Sequence, residues 1–190
     1  MDRAVPDEPM VFLKPASALV RSGGAVRLPP QSQDVHHEVE LVAVVGTEGK
    51  NIPRSAALDH VAGYAVGLDM TARDLQAEAK RRRHPWAVAK GFDTFAPLGP
   101  IQPAEAVDDV QDLTLRLTVN DETRQEASTR HQIFPVRDLV HYCSHIFTLS
   151  PGDLLYTGTP SGVGPVQDGD RLHASATGLD PLSVSVGRSG

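Results

Sequence analysis

His36-His37-Glu38-Val39-Glu40-Leu41-Val42-Ala43-Val44-Val45 begins polar and ends as an unbroken apolar run. In a strand, successive side chains alternate faces, so Glu38 and Glu40 project to the same side. Two adjacent carboxylates repel and lose hydration on burial, a cost that water or a cation between them relieves. The residues from Leu41 to Val45 take this strand into a core. Paired acids at the mouth of such a strand point to a hard divalent cation held by oxygen ligands.

The chain around this strand has 190 residues, which suits one domain spanning 1–190. A domain of this size buries roughly 70% of its unfolded surface and needs no disulfide or structural metal to fold. The net charge of −6 argues against a nucleic-acid partner and suits small-molecule metabolism. Lys80-Arg81-Arg82-Arg83-His84 is read as a solvated helix end, where cations complement the macrodipole. Cys143 is the single cysteine, lies on an apolar helical stripe and is expected to pack rather than react. No apolar run reaches 18 residues and no signal-peptide pattern is present, so a cytosolic protein is expected.

Residues 1–34 read as extended segments and turns, with Val11-Phe12-Leu13 as one short strand. Strands are expected over 38–46, 61–68 and 113–119, the last turning through Asn120-Asp121 into a partner near Thr123 to Glu126. Residues 154–157, 171–176 and 182–186 read as further strands. Helices are expected over 51–60, capped by Asn51, and over about 72–83, where Thr71 and Asp74 resemble a capping box. Ile133, Val136, Val140, Cys143 and Phe147 fall at helical spacing. Strands outnumber helices, with neither internal repeat nor interdomain linker, so the fold class is a β-rich α+β arrangement.

Asp69 ends one strand and stands just before a helix whose first turn carries Arg73 and Gln76 on one face. A helix start favours anions, so Asp69, Arg73 and Gln76 are placed to surround an anionic ligand, with a metal on the Asp69 side. A structural ion pair from Arg73 to Asp69 or Asp74 is the plainer alternative. Lys90 lies in the loop Trp86 to Asp93, where a lone lysine is ordinarily solvated surface. Thr157 to Pro165 is glycine-rich after a strand but lacks the ending of a phosphate loop, and reads as a tight turn. His36 and His37 are possible ligands, although histidines at a strand entrance are more often structural.

Taken in order, Val11-Phe12-Leu13-Lys14-Pro15, His36 to Leu41, Gly63-Tyr64 through Leu68-Asp69-Met70-Thr71-Ala72-Arg73-Asp74-Leu75-Gln76, Trp86 to Lys90, and Gly152-Asp153 through Pro165 resemble the fumarylacetoacetate hydrolase family. The similarity is to its short, acylpyruvase-like bacterial and mitochondrial members. It implies a mixed β-sandwich roll with a few flanking helices, and a homodimer. It implies that Glu38, Glu40 and Asp69 hold Mg²⁺ or Mn²⁺. It also implies that Arg73, Gln76, Lys90 and Thr159 contact substrate or offset developing charge, with Lys90 as the catalytic group, which moves Lys90 from surface to site.

The chemistry so implied is hydrolysis of a carbon–carbon bond beside a ketone in an acylpyruvate-type 2-oxo acid, such as a fumarylpyruvate-like compound. In family members a His and a Glu that activate water precede the Val-Phe-Leu-Lys-Pro segment. Met1 to Pro9 resembles the stretch just after that pair, so the pair is expected to be missing from the numbered chain. General acid–base help is worth about 10²–10⁴ in rate. Three readings follow: a family hydrolase whose numbering starts at an internal Met, an oxaloacetate-type decarboxylase or tautomerase, and a scaffold that binds metal and oxo acid without turnover.

Overall fold

In the computed structural model, which describes residues 6–188, three sheets are built among the described residues. The largest runs in the order Leu19–Arg21, Ala96–Leu98, Val61–Leu68, Val39–Val45, Leu154–Tyr156, with Gln102–Pro103 paired to Val61–Leu68. A five-stranded sheet runs Glu122–Ser128, Thr114–Val119, Arg171–Ala176, Leu179–Arg188, Ala25–Leu28. A small third sheet joins Gly164–Pro165, Val35–His37 and Thr71–Ala72. The result is the expected mixed β-sandwich roll with a few flanking helices.

Val39–Val45 is buried along its whole length between antiparallel neighbours Val61–Leu68 and Leu154–Tyr156. Its odd-numbered residues, Val39, Leu41, Ala43 and Val45, join Val66, Leu68 and Phe95 in a core shared with Leu117, Leu172 and Leu182 of the five-stranded sheet. The even-numbered face carries Glu40, so the alternation that seals the core also aims a carboxylate away from it. The turn at Asn120 and Asp121 has both residues at positive φ, 50° and 69°, the backbone that lets two twisted strands meet through two residues.

Several local expectations are corrected. Val11-Phe12-Leu13 forms no strand: it is an extended, largely exposed segment along the pocket, between Pro9 and Pro15, which have no N–H to give a ladder. Asn51 is not a cap but sits at φ 54°, its N–H on Ser144 O; the helical turn is a 3₁₀ segment, Arg54–His60, starting after Pro53. A proline keeps the residue before it out of the helical region, so no helix can run from Asn51 through Pro53. The Thr71–Asp74 box does not form. Thr71 Oγ1 donates to Asp69 O, while Asp74 accepts from Ser32 Oγ and Gln33 N, and Ala72 caps the helix Arg73–Arg82. Ile133 lies outside the helix Val136–Ile146 and is exposed, because Pro135 sets the helix start. Val136, Val140 and Cys143 of the stripe are buried as read.

Candidate metal centre and substrate pocket

Antiparallel pairing of Val39 with Leu68 carries the residues beyond each strand side by side, and Asp69 N donates to Glu38 O at 2.8 Å. Glu38 itself falls in the gap between Val35–His37 and Val39–Val45 rather than inside one strand. The expected convergence holds all the same. Glu38, Glu40 and Asp69 are buried, and each offers a carboxylate oxygen within 4.8 Å of the others. Hard oxygen donors at this spacing are what Mg²⁺ or Mn²⁺ takes.

Three cations surround the acids. Lys90 ends a short helical turn, Ala87–Lys90, and is only 2% exposed, the opposite of an ordinary loop lysine. Its Nζ bonds Glu38 Oε2 at 2.9 Å and also Asp69 Oδ2, with the Phe12 ring centroid 4.8 Å away. Lys14 Nζ bonds Asp69 Oδ1 at 2.5 Å and Met70 O at 3.2 Å. Arg73 Nη2 bonds Glu38 Oε1 at 2.5 Å, and Nη1 donates to Gln76 Oε1 at 2.8 Å. Arg73 thus pairs with Glu38, not with Asp69 or Asp74.

The three carboxylates are unequal. Burial raises the Glu38 pKa, but Lys90 and Arg73 outweigh it and leave the carboxyl below its ordinary value. Glu40 accepts from Gly158 N at 2.7 Å. Burial, then the charges of Asp69 and Glu38, push its carboxyl up to about 8. A buried acid beside two others is the group that gains most from a divalent ion, so this donor set fits Mg²⁺ or Mn²⁺. Burial lowers the Lys14 ammonium against the pull of Asp69.

The strand Leu154–Tyr156 runs into the segment that closes the site. Thr157 Oγ1 donates to Leu41 O and Thr159 Oγ1 to Val39 O, both at 2.8 Å. This double attachment, with Gly158 at φ 96°, turns the Gly158 N–H onto Glu40. Thr159 also accepts from Gln125 Nε2 at 2.9 Å, and Gln125 Nε2 reaches Pro160 O at 3.0 Å. Gln125 Oε1 accepts from Val39 N and lies 3.0 Å from His37 Nδ1. An amide oxygen only accepts, so His37 Nδ1 carries the proton there. Burial holds the His37 pKa down. His36 bonds Asp34, so neither histidine joins the acidic group.

The acidic group borders a pocket of about 940 Å³ lined by Glu38, Glu40, Asp69, Gln76, Lys14, Lys90 and Thr159, with an apolar wall that includes Phe12, Trp86, Phe134 and Leu139. Arg73 reaches it through Gln76 and Glu38. Lys14 and Gln125 were not among the site residues expected from the sequence. Lys14 had a signal, its place in Val-Phe-Leu-Lys-Pro; Gln125, a polar residue in a strand, had none.

The family profile described as fumarylacetoacetate (FAA) hydrolase C-terminal matches residues 1–186. This chain belongs to the fumarylacetoacetate hydrolase family. Within that family it is 47% identical over 188 residues to the mitochondrial oxaloacetate tautomerase FAHD1 of Arabidopsis thaliana, covering 99% of this chain and 84% of that protein. It is 45% identical to the mitochondrial oxaloacetate decarboxylase of Dictyostelium discoideum, covering 93% of this chain and 81% of that one. Among solved structures it is similar to the fumarylpyruvate hydrolase of Pseudomonas aeruginosa in complex with Mn²⁺ and pyruvate. That match has a TM-score of 0.90 and 43% identity, over 96% of this chain and 81% of that one. Family members thus include hydrolases and tautomerases, and structures of similar proteins hold Mn²⁺. No helix among the described residues is long and apolar enough to cross a membrane.

Proposed function

We propose that this chain is a metal-dependent enzyme of 2-oxo acids that hydrolyses a carbon–carbon bond in an acylpyruvate-type substrate. The observation that carries the reading is the buried group Glu38, Glu40 and Asp69 opening onto a pocket whose polar lining includes Lys14, Lys90, Gln76 and Thr159. Glu38, Glu40 and Asp69 would hold Mg²⁺ or Mn²⁺, which when bound polarises a carbonyl as a Lewis acid.

The remaining roles fall to the chain's own residues. Arg73 and Gln76 serve the substrate carboxylate together: Gln76 faces the pocket, and Arg73, bonded to Gln76 Oε1, supplies the positive charge behind it. Lys90, held in a nearly dry position, offsets the negative charge that develops on the keto oxygen as the neighbouring bond breaks. Thr159 has its hydroxyl proton on Val39 O, so it meets substrate only as an acceptor or by contact. The apolar wall takes the acyl group and limits water around the reacting carbonyl.

A second reading, decarboxylation or tautomerisation of an oxaloacetate-type acid, is favoured by the names of the relatives from Arabidopsis thaliana and Dictyostelium discoideum. Both readings develop charge on the same keto oxygen, so the same residues serve either. We further infer a homodimer, because Met10, Leu13, Leu19 and Ile133 line the pocket rim and are exposed, and a cytosolic location, from the composition. The deciding experiment offers the Mn²⁺-loaded chain acylpyruvate and oxaloacetate separately. Pyruvate release from acylpyruvate supports hydrolysis. Turnover of oxaloacetate alone supports the second reading. Metal-dependent oxalate binding without any turnover leaves a non-catalytic scaffold.

A further inference from the structure

The helix Val136–Ile146 has two unlike faces. Leu139 and Cys143 line the substrate pocket. His141 and His145, four residues apart on the opposite face, are half-buried and exposed respectively, their ring centroids 4.5 Å apart. His141 Nδ1 lies 2.7 Å from Ile52 O, and His145 Nδ1 lies 2.9 Å from His141 O. A carbonyl oxygen has no hydrogen to give, so both Nδ1 atoms are the donors. In the neutral rings the lone pair is then on Nε2 in each case. The rings meet edge-on at 65°, and each Nδ1–H is fixed on a carbonyl, as the non-ligating ring nitrogen of a metal-binding histidine is.

We propose that His141 and His145 chelate a borderline transition-metal ion, Zn²⁺, Ni²⁺ or Cu²⁺, through their Nε2 atoms, with water completing the coordination. Imidazole suits these ions, while carboxylates suit Mg²⁺ and Mn²⁺, so the site differs in chemistry as well as place from the acidic centre. His145 stands in the last turn of the helix, where unsatisfied carbonyls favour a cation; Lys50 Nζ already uses one of them, His145 O, at 3.3 Å. An ion here clips together the final turns of a helix whose other face is a wall of the substrate pocket.

The test is calorimetric titration of Zn²⁺ into the Mg²⁺-saturated protein, with electron paramagnetic resonance of the Cu²⁺ adduct. The expected results are one Zn²⁺ site beyond the carboxylate centre and nitrogen coupling from two imidazoles. His145→Ala removes only an exposed ring and should weaken that site about tenfold or more. His141→Ala/His145→Ala, its fold checked by circular dichroism, should abolish it and leave Mn²⁺ binding intact. Glu40→Ala should lose the carboxylate centre yet keep the Zn²⁺ site, which separates a failure here from a failure of the metal centre. Zn²⁺ affinity unchanged by His145→Ala, or a Cu²⁺ spectrum without two-nitrogen coupling, overturns the proposal.

Discussion

Gln125 Nε2 donates to Thr159 Oγ1 at 2.9 Å, and the same amide's oxygen accepts from Val39 N, so one buried side chain joins the two segments that shape the metal centre. An apolar residue of similar size cannot replace it. In Gln125→Leu the buried Val39 N–H and His37 Nδ1–H each lose a partner, at about 1–3 kcal/mol per buried group, and the half-buried Pro160 carbonyl loses one too. Chemical denaturation should show a loss of about 3 kcal/mol or more. Mn²⁺ affinity should fall as well, because the Gly158 N–H on Glu40 is held through Thr159. A variant with native stability and native Mn²⁺ affinity would show that Gln125 only fills space.

Glu40→Ala removes the acid that gains most from a bound cation. Titration with Mg²⁺ or Mn²⁺ should show specific binding abolished. Unchanged affinity would mean that the metal centre has been misplaced.

Metal binding to the folded chain alone should stabilise it. At a free Mn²⁺ concentration 100 times the Kd, the gain is about 2.7 kcal/mol, visible as a rise in Tm that a chelator reverses. Glu40→Ala should show no such rise, and a rise of equal size in that variant would count against the three-carboxylate centre.

Lys90→Met separates binding from turnover. Lys90 bonds Glu38 and Asp69, so its loss leaves those carboxylates more available to a divalent ion. Mn²⁺ affinity should hold or tighten, while kcat falls by about 10²–10³, the usual effect of removing one charge-stabilising donor. A kcat close to the native value would remove Lys90 from the chemistry.

Gly162→Ala tests the segment that carries Thr159. Gly162 sits at φ 96°, and a Cβ there would lie 2.3 Å from Arg124 O. Left-handed backbone costs a non-glycine residue roughly 1–2 kcal/mol, and the clash with backbone adds to it. Thermal melting should register a clear loss, with weakened Mn²⁺ binding as the Thr157–Pro160 segment shifts. A native melt and native affinity would show that the loop gives way at no cost.

Some of this was legible in the chain itself. The apolar runs at Leu41 to Val45 and Val61 to Leu68 each mark a buried strand through local pattern alone. Helix starts were read less well at Asn51 and Ile133, because Pro53 and Pro135 override the surrounding pattern. Lys90 could not be placed from its neighbours. Its burial depends on a short turn, Ala87–Lys90, docking against strands that come from elsewhere in the chain.

By itself, the sequence determined which residues could do chemistry. Glu38 and Glu40 stand two apart before an apolar run, Asp69 directly follows the apolar stretch that pairs with it, and the order of motifs along the chain names the family. Only the tertiary structure decided who meets whom. Lys14 reaches Asp69 across 55 positions and Gln125 reaches His37 across 88, contacts that leave no local periodicity to read. Alternation and charge are local properties, written residue by residue. The pairing of buried Glu38 and Asp69 with Lys14, Lys90 and Arg73 depends on strand register and packing between distant segments, and so exists only in the folded chain.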